Sequence, residues 1–177
     1  MNLLYNKKLI FVSISPILIS FLCFFISGYK QEFEINDIEY SDSKLFLDHS
    51  NVLNKKCGDS LGSFNGIISY YNSGGINSCD GSRHYSEDEY SYGLKWQCVE
   101  YVRRYYKDYF NHEMNRYGNA SDYFRKNIPS GLINSERNLL QYHNGDKKPK
   151  KHDLLVFQLM AGGLGHVAIV TNVTDTT

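Results

Sequence analysis

Cys98 and His166 are the two residues whose types and placement point to chemistry. Cys98 falls in the first turn of the strongest helical pattern in the chain, Trp96 to Phe110. Unpaired amides and the helix dipole at such a position favour a thiolate and predict a lowered thiol pKa. His166 opens an alternating segment directly after the flexible stretch Ala161-Gly162-Gly163-Leu164-Gly165. A base there is held by a rigid strand yet open to substrate. A thiol is a useful nucleophile once a neighbouring imidazole takes its proton. A cysteine followed by a histidine on a later element is the order expected of a thiol hydrolase. Each residue alone has a blander reading, a small buried hydrophobe for the cysteine and a hydrogen-bonded surface residue for the histidine.

The elements that must carry these residues are legible in the periodicity. Trp96, Val99, Val102 and Tyr106 recur at three and four residues and form one apolar stripe. Glu100, Arg103 and Arg104 stand where they can pair on another face. A short helix is expected over 121–127, ended before Pro129. Ile67 to Tyr71 suggests a strand and Asn72-Ser73-Gly74-Gly75 a turn. Asp153 to Phe157 is a compact apolar strand. From His166 to Val173 the side chains alternate, with His166, Ala168, Val170 and Asn172 on one face. Two strands joined by a glycine-rich connection predict an antiparallel pair. Helices first and strands last is an α+β pattern. Residues 82–92 and 130–151 read as surface loops, the second with Lys147, Lys148, Lys150 and Lys151.

Composition limits the alternatives. With 177 residues, 42% apolar and 21% charged, the chain suits one folded domain rather than a disordered segment. Its 19 basic and 19 acidic residues argue against a nucleic-acid partner bound by charge alone. Residues 1–29 hold only Lys7 and Lys8 as charges, and 9–26 are uncharged and mostly apolar. That run predicts a membrane-spanning helix or a signal peptide, with Lys7 and Lys8 on the cytoplasmic side. Residues 30–177 would then lie outside the cytoplasm, with 17 basic against 19 acidic residues and a net charge of −2. Residues 30–59 read as a juxtamembrane linker and 60–177 as the functional domain.

Three segments resemble a known family. Gly93-Leu94-Lys95-Trp96-Gln97-Cys98-Val99-Glu100-Tyr101-Val102-Arg103-Arg104 resembles the nucleophile segment of the CHAP family, the cysteine- and histidine-dependent amidohydrolases/peptidases. Its detailed form is most similar to the amidase domain of glutathionylspermidine and trypanothione synthetases. Gly118-Asn119-Ala120-Ser121-Asp122-Tyr123 is similar to the family's middle segment. Asp153 to Phe157, followed by Gly165-His166-Val167-Ala168-Ile169-Val170, resembles its base-bearing strands. The resemblance implies a papain-like (NlpC/P60-like) α+β fold, a helix carrying Cys98 packed on an antiparallel sheet carrying His166. It implies Cys98 as nucleophile and His166 as base, without a cofactor. Gln97 and the Cys98 amide are the candidates for stabilising an oxyanion.

The resemblance has two departures. The family usually has Gly before the Asp of its first base-side strand, where this chain has His152. The family also carries an Asp, Glu or Asn on the strand after the histidine strand, which orients the imidazole. Asn172 shares a face with His166, but six residues at ~3.3 Å put it roughly 20 Å away. By reflection across a hairpin the orienting residue is expected near position ~183, whereas the sequence ends at Thr177. The expectation is a chain truncated at its C-terminus, or a degenerate member of the family.

The remaining candidates are weaker. Cys57 and Cys79 stand 22 residues apart and would pair in an oxidising compartment. Cys23 lies in the apolar run. His49, His84, His112 and His143 share no spacing and read as surface residues, with His84 able to border a cleft. Glu87-Asp88-Glu89 lacks a calcium-loop pattern, and no zinc spacing is present. The leading expectation is a membrane-anchored thiol amidase acting on peptide bonds of the cell wall. A glutathionyl-polyamine amide is the alternative substrate. A tethered binding module without turnover is the alternative class.

Overall fold

The computed structural model describes residues 8–12, 55–73, 79–158 and 163–174. Its main sheet has five strands: β1 (Lys8–Val12), β6 (Leu132–Asn134), β7 (Leu139–Tyr142), β8 (Leu154–Phe157) and β9 (His166–Ile169), in the order β6-β7-β1-β8-β9. Two hairpins precede the helix, β2 (Ser60–Phe64) with β3 (Ile67–Tyr70) and β4 (Arg83–Tyr85) with β5 (Ser91–Leu94). Helix α1 (Cys98–Phe110) packs on β9, β5 and β3, and a short 3₁₀ helix (Ala120–Tyr123) packs on β8 and β9.

α1 follows its sequence pattern from Cys98 onward, whereas Trp96, expected to open the stripe, lies before the helix and outside the core. Val99, Val102 and Tyr106 are buried, and they join Leu9, Tyr105, Tyr123, Leu139, Leu154, Val156 and Val167 in one core. Asn111, in the left-handed conformation, ends the helix. The expected short helix appears as the 3₁₀ helix. Asn119 and Asp122 cap it reciprocally, and the Asn119 amide donates to Asp122 Oδ2 at 2.7 Å. Gly118 is required there. Its φ is +91°, and a Cβ would sit 2.8 Å from that of Asp122.

β8 and β9 pair antiparallel as expected, with Phe157 opposite His166. The sheet as a whole is mixed, because β1 runs parallel to both β7 and β8. This corrects the reading of 9–26 as a membrane or signal helix at its start, since Leu9–Val12 form an inner strand. The physical reason is that an inner strand of parallel pairs is covered on both faces. It therefore shows a continuous apolar run, as a spanning helix does. Leu9 is 0% and Ile10 3% exposed. The Lys8 amide donates to Asp153 Oδ1 at 3.0 Å, which fixes the strand's start. Residues 13–26, Cys23, the 30–54 part of the linker and His49 lie outside the described residues. No helix of the described residues is long and apolar enough to cross a membrane.

Both expected surface loops contain strands. β4 and β5 occupy part of 82–92, and β6 and β7 form a hairpin within 130–151. Asn134 and Gln141 are fully buried in that hairpin. Asn134 Nδ2 donates to the Tyr123 carbonyl at 2.9 Å and to Gln141 Oε1 at 3.1 Å. Core positions filled by amides disguise a strand as a polar loop.

Candidate active site

Cys98 is the first residue of α1, and Gln97 is its extended N-cap. A register fixed by Val99, Val102 and Tyr106 in the core turns the start of the helix toward β9. The strand it faces begins at His166. Burial pushes the thiol pKa up, while the amides of Val167, Val99 and Cys98 itself pull it down by less. This reverses the expected lowering. Helix-end amides do reach the sulfur, but desolvation of a thiolate at this site outweighs them.

His166 stands at the start of β9 with its ring 6.0 Å from that of Phe157, nearly parallel. Burial pulls its pKa down to about 4. The imidazole is therefore neutral at pH 7 and able to accept a proton. Burial thus disfavours the charged form of both groups. Among the described residues, no side chain hydrogen-bonds the His166 ring. Asn172 is exposed beyond the end of β9, and Asp175 lies outside the described residues. Gly165 allows a close approach just before His166. Its φ is +72°, and a Cβ would stand 2.8 Å from both the Phe157 carbonyl oxygen and the Ser121 nitrogen. The Ser121 amide donates to the Leu164 carbonyl at 3.0 Å. The segment 118–123 therefore buttresses the histidine from outside the sheet.

Cys57 and Cys79 form a disulfide with Cα atoms 5.6 Å apart. It ties the segment before β2 to the one before β4. A Cβ on neighbouring Gly58 would lie 3.5 Å from Trp96 Nε1. Trp96, two residues ahead of Cys98, packs on Tyr70 at 4.3 Å and on His84 at 5.1 Å. His84 does border this corner, but its Nδ1 is 2.8 Å from Glu100 Oε1. Glu100 is 1% exposed and also accepts from Arg104 Nε at 2.6 Å. Glu100 and Arg104 pair as expected, whereas Arg103 points elsewhere, to the Tyr92 and Tyr117 carbonyls at 3.4 and 3.3 Å. His112, read as a surface residue, is 3% exposed with Nε2 2.9 Å from the Arg137 carbonyl. His143 lies edge-on to Phe124.

His152 explains why the family uses glycine at that place. Its φ is +76°, which L side chains rarely adopt. The position is held by aromatic neighbours. Tyr105 Oη is 2.6 Å from His152 Nδ1, and the Tyr106 hydroxyl donates to the His152 carbonyl at 2.6 Å. Phe64 and Tyr109 pack on the ring.

No set of three metal-ligating side chains occurs among the described residues. Asp88 of the acidic triplet instead pairs with Lys107 at 2.7 Å. Two open surface clefts, of about 340 and about 600 Å³, are lined by Tyr90, Met114 and Tyr117 and by His84, Arg104 and Lys107. Neither is lined by Cys98 or His166, and in the larger one Arg104 and Lys107 are already paired with Glu100 and with Asp88 and Glu113. The candidate residues Cys98 and His166 lie instead where α1 packs on β9. Two participants had no signal in residue type, the Val167 amide and the Ser121–Leu164 contact, because backbone donors leave no trace in side-chain identity. The spacing of the glycines at 118 and 165 was the only trace of the second.

No curated protein matches the chain. The family model for the CHAP domain matches residues 89–177, which hold β5, α1, the 3₁₀ helix and β6 to β9. That span covers half the chain and contains both Cys98 and His166, and the chain belongs to the CHAP family, whose members are generally amidase- or peptidase-type hydrolases.

Proposed function

We propose that this chain is a cysteine amidohydrolase with Cys98 as nucleophile and His166 as base. The observation that carries the reading is the packing of α1 on β9, which sets the helix that begins at Cys98 against the strand that begins at His166. Cys98 Sγ attacks the amide carbonyl carbon as its proton passes to His166. The carbonyl oxygen becomes an oxyanion, for which the Cys98 amide and Gln97 are the donors. As the C–N bond breaks, His166 returns the proton to the leaving amine. Water, deprotonated by His166, then attacks the thioester, and the acid leaves as the thiol is restored.

Cell-wall peptide bonds are the proposed substrate, outside the cytoplasm. The Cys57–Cys79 disulfide supports that location, since such bonds persist in oxidising compartments. Glutathionylspermidine is the alternative substrate, resting on the motif around Cys98. A binding module without turnover is a second reading, favoured by the lack of a hydrogen-bonding side chain at the His166 ring among the described residues.

The test is alkylation of Cys98 in the full chain, followed by peptide mapping, with His166→Ala as control. Product amines from purified peptidoglycan and from glutathionylspermidine are then measured. Faster alkylation in the wild type together with amine release from one substrate supports the enzyme. Equal rates in both proteins and no amine release support the binding module.

A further inference from the structure

Two buried arginines lack close carboxylate partners. Arg103, five residues after Cys98 on α1, is 2% exposed. Arg137, in the turn between β6 and β7, is 0% exposed. Among the described residues no carboxylate comes within 4.0 Å of Arg103. The nearest to Arg137 is Glu136, 3.9 Å away and held by Arg125 at 2.8 Å.

Both guanidiniums instead grip one loop. Arg103 Nη2 and Arg137 Nη2 share the Tyr117 carbonyl at 3.3 and 3.1 Å. Arg137 also donates to the carbonyls of Asn115 at 2.6 Å and Asp122 at 3.4 Å. The Tyr123 ring lies against both, with Arg137 at 4.1 Å and Arg103 at 5.9 Å from its centroid. Burial, and secondarily the charge of Arg103, push the Arg137 pKa down. Two like charges in a dry site are a poor way to gain stability, since apolar replacements of similar volume are often neutral or stabilising. A planar fork of donors is, however, a good way to fix several carbonyls at once.

We propose that Arg103 and Arg137 are positioning residues that hold the 115–123 loop, through which Ser121 fixes Leu164 and Gly165 and thereby aims His166. This rests on His166 acting as the base. The route is continuous: guanidiniums to the Tyr117 and Asp122 carbonyls, the loop to the Ser121 amide, that amide to the Leu164 carbonyl, then Gly165, pressed between Ser121 and Phe157.

Amide exchange and His166 ring NMR signals in the full chain test it. In the wild type the Ser121 amide exchanges as slowly as those of residues 102–106 in α1. Arg103→Lys and Arg137→Lys speed Ser121 exchange by about tenfold or more, the equivalent of one lost charge-assisted hydrogen bond. They also shift the His166 ring signals, which lie beside the Phe157 ring, and leave α1 protected. A uniform rise in exchange with unmoved His166 signals overturns the proposal. Fast exchange of Ser121 in the wild type overturns it whichever variants fold. If Arg137→Lys does not fold, Arg103→Lys decides, because it keeps every Arg137 contact. His166→Ala separates the two ideas. If it leaves Cys98 alkylation unchanged, the catalytic pair fails, while Ser121 exchange still reports on the arginines.

Discussion

At its first turn α1 presents Cys98 to β9, and burial there leaves both the thiol and the His166 imidazole uncharged. Two residues further on, Glu100 is deeper still, yet it meets Arg104 at 2.6 Å and His84 at 2.8 Å. The same helix thus builds one half-buried, sparsely bonded corner and one buried corner rich in charged partners. A buried charge with several partners is locked and contributes geometry. A half-buried thiol and imidazole with few partners keep protons that can move. Separating these tasks by less than one helical turn lets the locked corner hold the reactive one without sharing a hydrogen bond with it.

The comparison breaks most visibly at the reactive corner. On the proposed hydrolase reading, Cys98→Ala and His166→Ala should each remove on the order of 10⁴-fold or more of the hydrolytic rate, with little change in the thermal midpoint. Amine release and a melting curve on each variant measure this. A large fall in stability would show that the half-buried corner also carries structure.

Glu100→Ala should do the opposite. It strands the buried Arg104 and should lower unfolding free energy by about 3–5 kcal/mol, read from urea denaturation. A loss no larger than that of Cys98→Ala would erase the distinction.

Acid sharpens the contrast. The His166 pKa is depressed from 6.5 to about 4, so the unfolded chain takes up this proton first as pH falls. The imidazole's contribution to stability is full above about pH 6.5, declines toward about pH 4 and is flat below. Its upper limit is about 3 kcal/mol. The difference between wild-type and His166→Ala denaturation curves, followed across that window, should show this slope and no other.

The smallest effect belongs to neither corner. Lys147→Ala, on the exposed loop before β8, should change stability by no more than about 0.5 kcal/mol, and the same denaturation assay sets that baseline.

Sequence and structure agree where burial obeys a simple period. The stripe Val99, Val102, Tyr106 places α1, and the apolar run before Phe157 places β8. The glycine before His166 marks the strand that carries the imidazole. Legibility fails where polar groups are buried by partners distant in the chain. Arg103 and Arg137 look like surface charges until a loop folds its carbonyls over them. Asn134 and Gln141 look like loop residues until they bond each other and the backbone. The thiol's pKa was misjudged for a related reason, since helix-end amides are visible in sequence and desolvation is not. Leu9–Val12 shows a third limit, because an inner strand and a hydrophobic helix share one composition.

The place of β1 sets a timetable. Leu9 pairs with Gln141 and Leu154, so the first strand synthesised finds its neighbours only after more than a hundred further residues have been made. Until then Leu-Ile-Phe-Val has no sheet to enter and is open to whatever binds nascent apolar chain. Long-range pairing of this kind is slow to form. β1 therefore joins the sheet only after both of its neighbours have been made.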